Sequence, residues 1–127
     1  MIARIWHGYT KPEHADAYEA LLKPELLPSI SKVPGYIGSY LLRKPAGTEV
    51  EFVTIMLWDS IDAIHAVAGA DYEAAVIPEK RLQYLAHYDA RSNIMRSLQF
   101  TGWQSIPNDF QNSFCVLYAR CFTLRFQ

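Results

Sequence analysis

The order of the strand and helix signals is the feature that most constrains how this chain can fold. Residues 2–9 are rich in side chains that favour extended backbone, and they predict a first strand. A helix start follows at once, because Thr10 and Glu13 have the spacing of a capping box. Tyr18 and Leu22 then recur at helical spacing. The chain therefore begins with a strand and a helix.

The middle of the chain predicts a hairpin, a second helix and a last strand. Residues 36–44 and 49–58 are strand-like and are separated by a connection of hairpin length. Asp59 suits the start of a second helix, and residues 85–90 again favour a strand. This β-α-β-β-α-β order predicts an α+β fold of the ferredoxin-like type, an antiparallel sheet with both helices on one face. The other face then needs a cover, which a second copy of the chain can provide.

The composition argues against several classes of function. The formal net charge is -1 at pH 7 and no basic cluster with interleaved aromatics occurs, so we expect no nucleic-acid partner and no membrane partner. No apolar run approaches the roughly 20 residues of a membrane span, and residues 1–10 lack the layout of a signal peptide. Both features predict a cytoplasmic protein. Cys115 and Cys121 form no metal-binding pattern, so we expect reduced thiols and no metal site.

The composition changes sharply near residue 90. Residues 91–127 contain no Lys, only one of the 13 acidic residues and five of the six Phe. We therefore predict a ferredoxin-fold domain at residues 1–90 and an atypical C-terminal tail at 91–127. Within that tail, residues 113–126 are strongly β-prone, so the tail is either an edge strand, an element exchanged between two copies, or an extension foreign to the domain.

A series of short motifs occurs along the first 90 residues: Met-Ile-Ala-Arg-Ile-Trp-His-Gly at 1–8, Ala-Asp-Ala-Tyr at 15–18, Pro-Gly at 34–35, Trp-Asp-Ser at 58–60, Ala-Ile at 63–64, Ala-Gly-Ala-Asp at 68–71 and His-Tyr at 87–88. Together they resemble the antibiotic biosynthesis monooxygenase family of the dimeric α/β-barrel superfamily. The resemblance covers residues 1–90 only.

This resemblance implies a homodimer whose sheets pack face to face, and a hydrophobic pocket in each subunit between the sheet and the helices. It also implies oxidation of small aromatic or phenolic compounds to quinones with O₂ and with no metal or flavin cofactor. Some relatives instead degrade haem, using an Asn on the first strand and a Trp followed by a His in the second helix. Here the first strand carries His7, the second helix has no Trp after Asp59, and residues 66–86 contain no His. We therefore do not expect haem degradation.

Three histidines are candidates for catalysis. A cofactor-free oxygenase needs a base, donors that hold the resulting anion, and apolar walls. His7 lies in the first strand and His87 in the strand expected to pair with it, so their imidazoles can share one sheet face, and either can serve as the base. His65 lies at the margin of the apolar stripe of the second helix. The alternative for each is a structural or surface histidine.

Aromatic and cationic side chains are candidates for substrate binding. The set comprises Trp6, Tyr36, Tyr40, Trp58, Tyr72, Arg4 and Arg43. The aromatics can line a slot for a small aromatic or hydrophobic molecule, although the same positions suit a core. The arginines can hold an anionic oxygen, or they can form ion pairs across the sheets of a dimer. Two other functions stay open: a non-catalytic dimeric domain that binds a small hydrophobic ligand, and an interaction module assembled through the tail.

Overall fold

The sequence order of strands and helices predicts the architecture correctly. The computed structural model describes residues 1–99, apart from the side chains of residues 26 and 27. Its elements are β1 Ile2–Thr10, α1 Pro12–Ile30, β2 Tyr36–Ala46, β3 Glu49–Trp58, α2 Ile61–Ala68, α3 Glu79–Leu82, β4 Leu85–Tyr88 and β5 Asn93–Arg96. The α+β class and the ferredoxin-like order are thereby confirmed. None of the helices among the described residues has both the length and the apolar character needed to cross a membrane.

The five strands of the described residues join one antiparallel sheet, in the order β2-β3-β1-β4 with β5 also paired to β1. The central strand β1 pairs with β3 along one edge. Along its other edge it pairs with β4 near Thr10 and with β5 near Ile2. The two last strands therefore occupy the same side of β1, one after the other. The division into a domain of residues 1–90 and a tail stays a prediction, and β5 lies within the predicted tail.

Alternate side chains of β1 separate the two faces of the sheet. Ile2, Trp6 and Thr10 are buried and point towards the helices, whereas His7 and Tyr9 point to the other face and are partly exposed. We call this second face the open face. The helices therefore cover one side of the sheet, and within residues 1–99 only that side has a layered core.

Two clusters form the core between the sheet and the helices. Tyr18 and Leu22 of α1 pack against Phe52 of β3, and the Tyr18 and Phe52 rings meet edge to face at 4.9 Å between centroids. Ile64 of α2 packs against Trp58, which is 1% exposed. Helices α1 and α2 therefore anchor to different ends of β3.

Gly35 fixes the start of β2 against α2. Its φ of +87° lies in the region that favours glycine, and a Cβ there would approach Oδ1 of Asp59 to 2.5 Å and Cβ of Ala63 to 2.6 Å. The backbone N–H of Asp59 donates to the Gly35 carbonyl at 2.9 Å. A side chain at this turn would push α2 away from the sheet.

Candidate functional site

Two adjoining spaces lie between the sheet and the helices. A cavity of about 160 Å³ is walled by Trp58 and Met56 from the sheet, Ile64 from α2, and Val76 from the segment before α3. A smaller hollow of about 40 Å³ adjoins it and extends to Trp6 and Thr54. Four residues line both spaces: Arg4, Met56, Val76 and Arg81. We call this shared boundary the waist. The walls are mainly apolar, and every charged side chain that lines them within the described residues is an arginine.

Arg4 is held at the waist by backbone carbonyls. Its Nε donates to the carbonyl of Tyr72 at 3.2 Å and its Nη2 donates to the carbonyl of Ala74 at 2.8 Å. Among residues 1–99 no carboxylate forms an ion pair with it. Burial lowers the pKa of Arg4 from its ordinary value, because desolvation disfavours the cation. Even so, an arginine keeps its proton near neutrality, so the cavity contains a cation that is not neutralised.

Arg81 brings a second guanidinium to the waist from α3. Its side chain is 16% exposed, and its Nε lies 3.4 Å from Oε2 of Glu25. Glu25 also pairs with Lys80, whose hydrogen bond is the main reason that the pKa of Glu25 lies below its usual value. One carboxylate is thus shared by two cations, which leaves the waist with an excess of positive charge.

The two predicted tryptophans lie beside these spaces. Trp58 lines the larger cavity and meets the Tyr36 ring edge to face at 5.5 Å. Trp6 lines the smaller hollow, and its Nε1 donates to the carbonyl of Asp89 at 2.8 Å. Tyr72 contributes its carbonyl to Arg4. Of the predicted aromatic set, these four therefore lie at or next to the cavity.

His7 and His87 share a sheet face, but it is the open face, opposite the cavity. Nδ1 of His7 lies 2.7 Å from Oε1 of Glu51, and Nε2 of His87 lies 2.6 Å from Oε2 of Glu49. Tyr9 joins the two pairs, because its ring stacks on His87 at 4.2 Å and its hydroxyl donates to Glu51 at 3.3 Å. A catalytic role for either histidine stays a prediction.

The other predicted site residues lie away from the cavity. His65 Nδ1 is 2.9 Å from the carbonyl of Gly69 at the end of α2. Tyr40 is 59% exposed on the open face. Arg43 donates to Asp16 at 2.9 Å and to Glu19 at 2.6 Å at the outer edge of α1. Their proposed roles stay predictions.

Sequence reasoning missed Arg81. Its only local signal is a position in a short helical turn after Pro78, which is typical of many surface arginines. Its place at the waist depends on where the fold puts α3, and no spacing in the sequence encodes that position. Arg4 was expected to hold an anion or to form an ion pair, and the structure places it in the cavity wall.

Glu51 is expected to make the fold sensitive to acid. It is 8% exposed, and its pKa lies below its usual value because His7 and then Lys44 donate to it, against the opposing effect of burial. A carboxylate of this kind stabilises the fold fully above its unfolded pKa of about 4.3, and that stability is lost as the pH falls through the folded pKa. Urea denaturation at pH 6 and at pH 3 should show this loss, and Glu51→Gln should reduce the difference between the two pH values. The exposed Glu79→Gln serves as the control, and equal pH dependence in both variants would contradict the prediction.

The fold and the cavity together define a ferredoxin-like α+β domain with an apolar cavity between its sheet and its helices. The model of the family described as antibiotic biosynthesis monooxygenase matches residues 1–79, and the chain belongs to this family. The predicted resemblance is therefore confirmed. No curated protein sequence matches the chain.

Solved structures of this type share the fold at low sequence identity. A Bacillus cereus protein described as a candidate antibiotic biosynthesis monooxygenase has a TM-score of 0.60 and 15% identity, over 80% of this chain and 95% of that chain. The ActVA-Orf6 monooxygenase of Streptomyces coelicolor, in complex with nanaomycin D, has a TM-score of 0.56 and 17% identity, over 80% and 92%. The haem degrader MhuD of Mycobacterium tuberculosis, with two haems in its active site, has a TM-score of 0.53 and 19% identity, over 80% and 100%. The chain thus has a monooxygenase-type fold.

Proposed function

We propose that this chain is a cofactor-independent monooxygenase that oxidises a small hydroxyaromatic to a quinone with O₂. The observation that supports it is the apolar cavity under the sheet, whose charged lining residues in the described part of the chain are Arg4 and Arg81. A cation in an apolar site favours the ionised form of a bound hydroxyl group. Ionisation is the step that makes such a ring electron-rich enough to reduce O₂.

The reaction balances without an external reductant. The hydroxyaromatic loses its hydroxyl proton, and O₂ attacks the ring carbon para to that oxygen, which must carry hydrogen. One oxygen atom of O₂ becomes the second quinone carbonyl. The other leaves as water, whose two hydrogens balance the hydroxyl proton and the hydrogen lost from the para carbon. The substrate loses four electrons and O₂ gains four. Arg4 holds the phenolate oxygen, and the apolar walls exclude water from the reacting ring.

Variants of His7 and His87 test which group removes the hydroxyl proton of the substrate. No His, Asp or Glu is among the described residues that line the cavity, and His7 and His87 hydrogen-bond carboxylates on the open face. We therefore propose that the arginines lower the pKa of the bound hydroxyl enough for the proton to leave to solvent. A His7→Ala/His87→Ala double variant that keeps full quinone formation supports this route. Loss of activity in the folded variant would support the histidines as bases.

Oxygen uptake with a panel of electron-rich, para-unsubstituted hydroxyaromatics tests the activity itself. We expect uptake of one O₂ per quinone, with one ¹⁸O atom in the product when ¹⁸O₂ is supplied. Arg4→Met should lower the rate by about tenfold or more, because a charge-assisted hydrogen bond to the phenolate is lost. Arg96→Met, at an exposed strand position, is the matched control and should keep the rate.

A non-catalytic ligand-binding domain is the second candidate function. It is favoured by the absence of an acid–base side chain from the cavity lining among residues 1–99. Tight binding of the panel compounds without oxygen uptake would support this non-catalytic function. Haem degradation is not proposed, because His7 lies on the open face and no described histidine lines the cavity.

We further propose that a second copy of the chain covers the open face. Large apolar side chains are exposed there, with Tyr40 at 59%, Leu42 at 48% and Met95 at 57%. The charged side chains of that face pair within the chain, as His7 does with Glu51 and His87 with Glu49. A face with exposed apolar groups and internally paired charges can meet a copy of itself about a two-fold axis with little repulsion.

A further inference from the structure

The free donors at the waist differ between the two arginines. In Arg4, Nε and Nη2 are already committed to backbone carbonyls, and Nη1 donates to no partner among the described residues. In Arg81, only Nε has a partner among residues 1–99, the carboxylate of Glu25. Both terminal nitrogens of Arg81 are therefore available, and two parallel N–H groups match the two oxygens of a carboxylate. Arg4 can offer Nη1 to a single oxygen.

The positive charge at the waist favours an anionic ligand. Glu25 is divided between Arg81 and Lys80, and Arg4 contacts carbonyls that carry no net charge. A partly buried cation without a counter-ion costs free energy, and a carboxylate that enters the cavity removes that cost. A neutral ligand of the same shape leaves the imbalance in place. The site should therefore discriminate by charge as well as by shape.

The size of the cavity limits the ligand to one ring. A dry cavity of roughly 150 Å³ accepts a benzene molecule, and the larger space here measures about 160 Å³. The adjoining hollow of about 40 Å³ has room for a small substituent. The ring of the ligand then lies against Trp58, and its polar groups lie at the waist between the two spaces.

We infer that the site selects a single-ring hydroxyaromatic carboxylate, with Arg81 binding the carboxylate and Arg4 binding the hydroxyl oxygen. The inference rests on the proposed function, since it uses the same cavity and names its substrate class. It assigns different tasks to the two arginines. Arg81 sets the preference for an anion, and Arg4 sets the ionisation of the ring hydroxyl.

Binding of a matched pair of probes tests the role of Arg81. 3-Hydroxybenzoate and 3-hydroxybenzamide have nearly the same size, and only the first is an anion. By calorimetry at pH 7 we expect the benzoate to bind about tenfold tighter, the effect of one good charge-assisted contact. Arg81→Met should bring the two affinities within about twofold of each other, whereas Arg96→Met should keep the preference. Equal affinities in the unchanged protein would overturn the inference.

Arg81→Lys covers the case in which Arg81→Met does not fold. The ammonium keeps the charge but loses the planar pair of donors, so the preference for the benzoate should shrink without vanishing. A full preference in the folded Arg81→Lys protein contradicts bidentate binding by Arg81. A tricyclic anthrol that binds more tightly than 3-hydroxybenzoate contradicts the single-ring limit.

Ultraviolet titration of the bound probe tests the role of Arg4. Phenolate absorbs at longer wavelength than phenol, so the pKa of the bound hydroxyl can be read directly. Arg4→Met should raise that pKa by about one unit or more while the preference for the anion persists. An unchanged pKa overturns the assignment. These measurements need no turnover, so they test the substrate class separately from the activity. Binding without oxygen uptake would contradict the proposed activity but not the substrate class. Oxygen uptake with only neutral or polycyclic compounds would contradict the substrate class but not the activity.

Discussion

Replacement of Ile55 by glutamate is expected to leave the chain monomeric at concentrations where the unchanged chain is a dimer. Ile55 lies in the middle of β3, opposite Ile5 on one side and Tyr40 on the other. All three side chains belong to the open face, which we propose to be covered by a second copy. A carboxylate at the centre of that contact would be buried without a partner, and the two-fold axis would place its copy nearby. We expect the dissociation constant to rise by about a hundredfold or more.

Sedimentation equilibrium of the full chain measures this effect. The same substitution on the helix side, Ile61→Glu, is the control, because Ile61 is 37% exposed at the start of α2 and lies on the covered side of the sheet. That variant should remain dimeric. A monomeric unchanged chain, or a dimeric Ile55→Glu variant of native secondary structure, would show that another surface or no surface brings two copies together.

The alternation of β1 assigns different tasks to the two sides of one strand. The side chains of Arg4 and Trp6 point to the cavity side of the sheet. Those of His7 and Tyr9 point to the open face. A shift of the strand by one residue would exchange the two sets. The pairing of β1 with β3 over its whole length prevents such a shift, so the same register maintains both the proposed site and the proposed contact surface.

The fold could be predicted from the sequence because its signals are local. The capping spacing of Thr10 and Glu13, the hairpin and the alternation of β1 each act within a few residues, and together they define the β-α-β-β-α-β order. Alternation also correctly groups His7 with Tyr9. It cannot say which of the two faces the helices will cover, since that depends on packing between distant segments. The histidines were therefore expected near the pocket, and the structure places them on the other side of the sheet.

The contacts that define the waist could not be predicted for the same reason. Arg4 is held by the carbonyls of Tyr72 and Ala74, which are 68 and 70 residues away along the chain. Arg81 meets Glu25 across 56 residues. The burial of Glu51 has a similar origin, because donors from two neighbouring strands converge on its carboxylate. Pairings of this range leave no periodic trace in the sequence.

Phe52→Ala is expected to remove most of the stability of the domain. Phe52 is 0% exposed, packs on Tyr18 and Leu22, and lies opposite Gly8, which has no side chain to fill the space that would be left. Deletion of a buried phenylalanine side chain costs about 3–5 kcal/mol, and domains of this size are stable by only about 5–15 kcal/mol. Urea denaturation should therefore show a lower midpoint with a similar slope, or no folded state at all.

Two further variants separate the loss of packing from a general effect of truncation. Leu82→Ala, at a side chain that is 40% exposed, should lower the free energy of unfolding by less than about 1 kcal/mol. Phe52→Leu keeps most of the apolar volume and should lie between the two alanine variants. Phe52 does not line the cavity at the waist, so a folded Phe52→Leu protein should still prefer 3-hydroxybenzoate to its amide. A loss of that preference in the folded variant would mean that the core cluster around Phe52, and not only the two arginines, controls what the site binds.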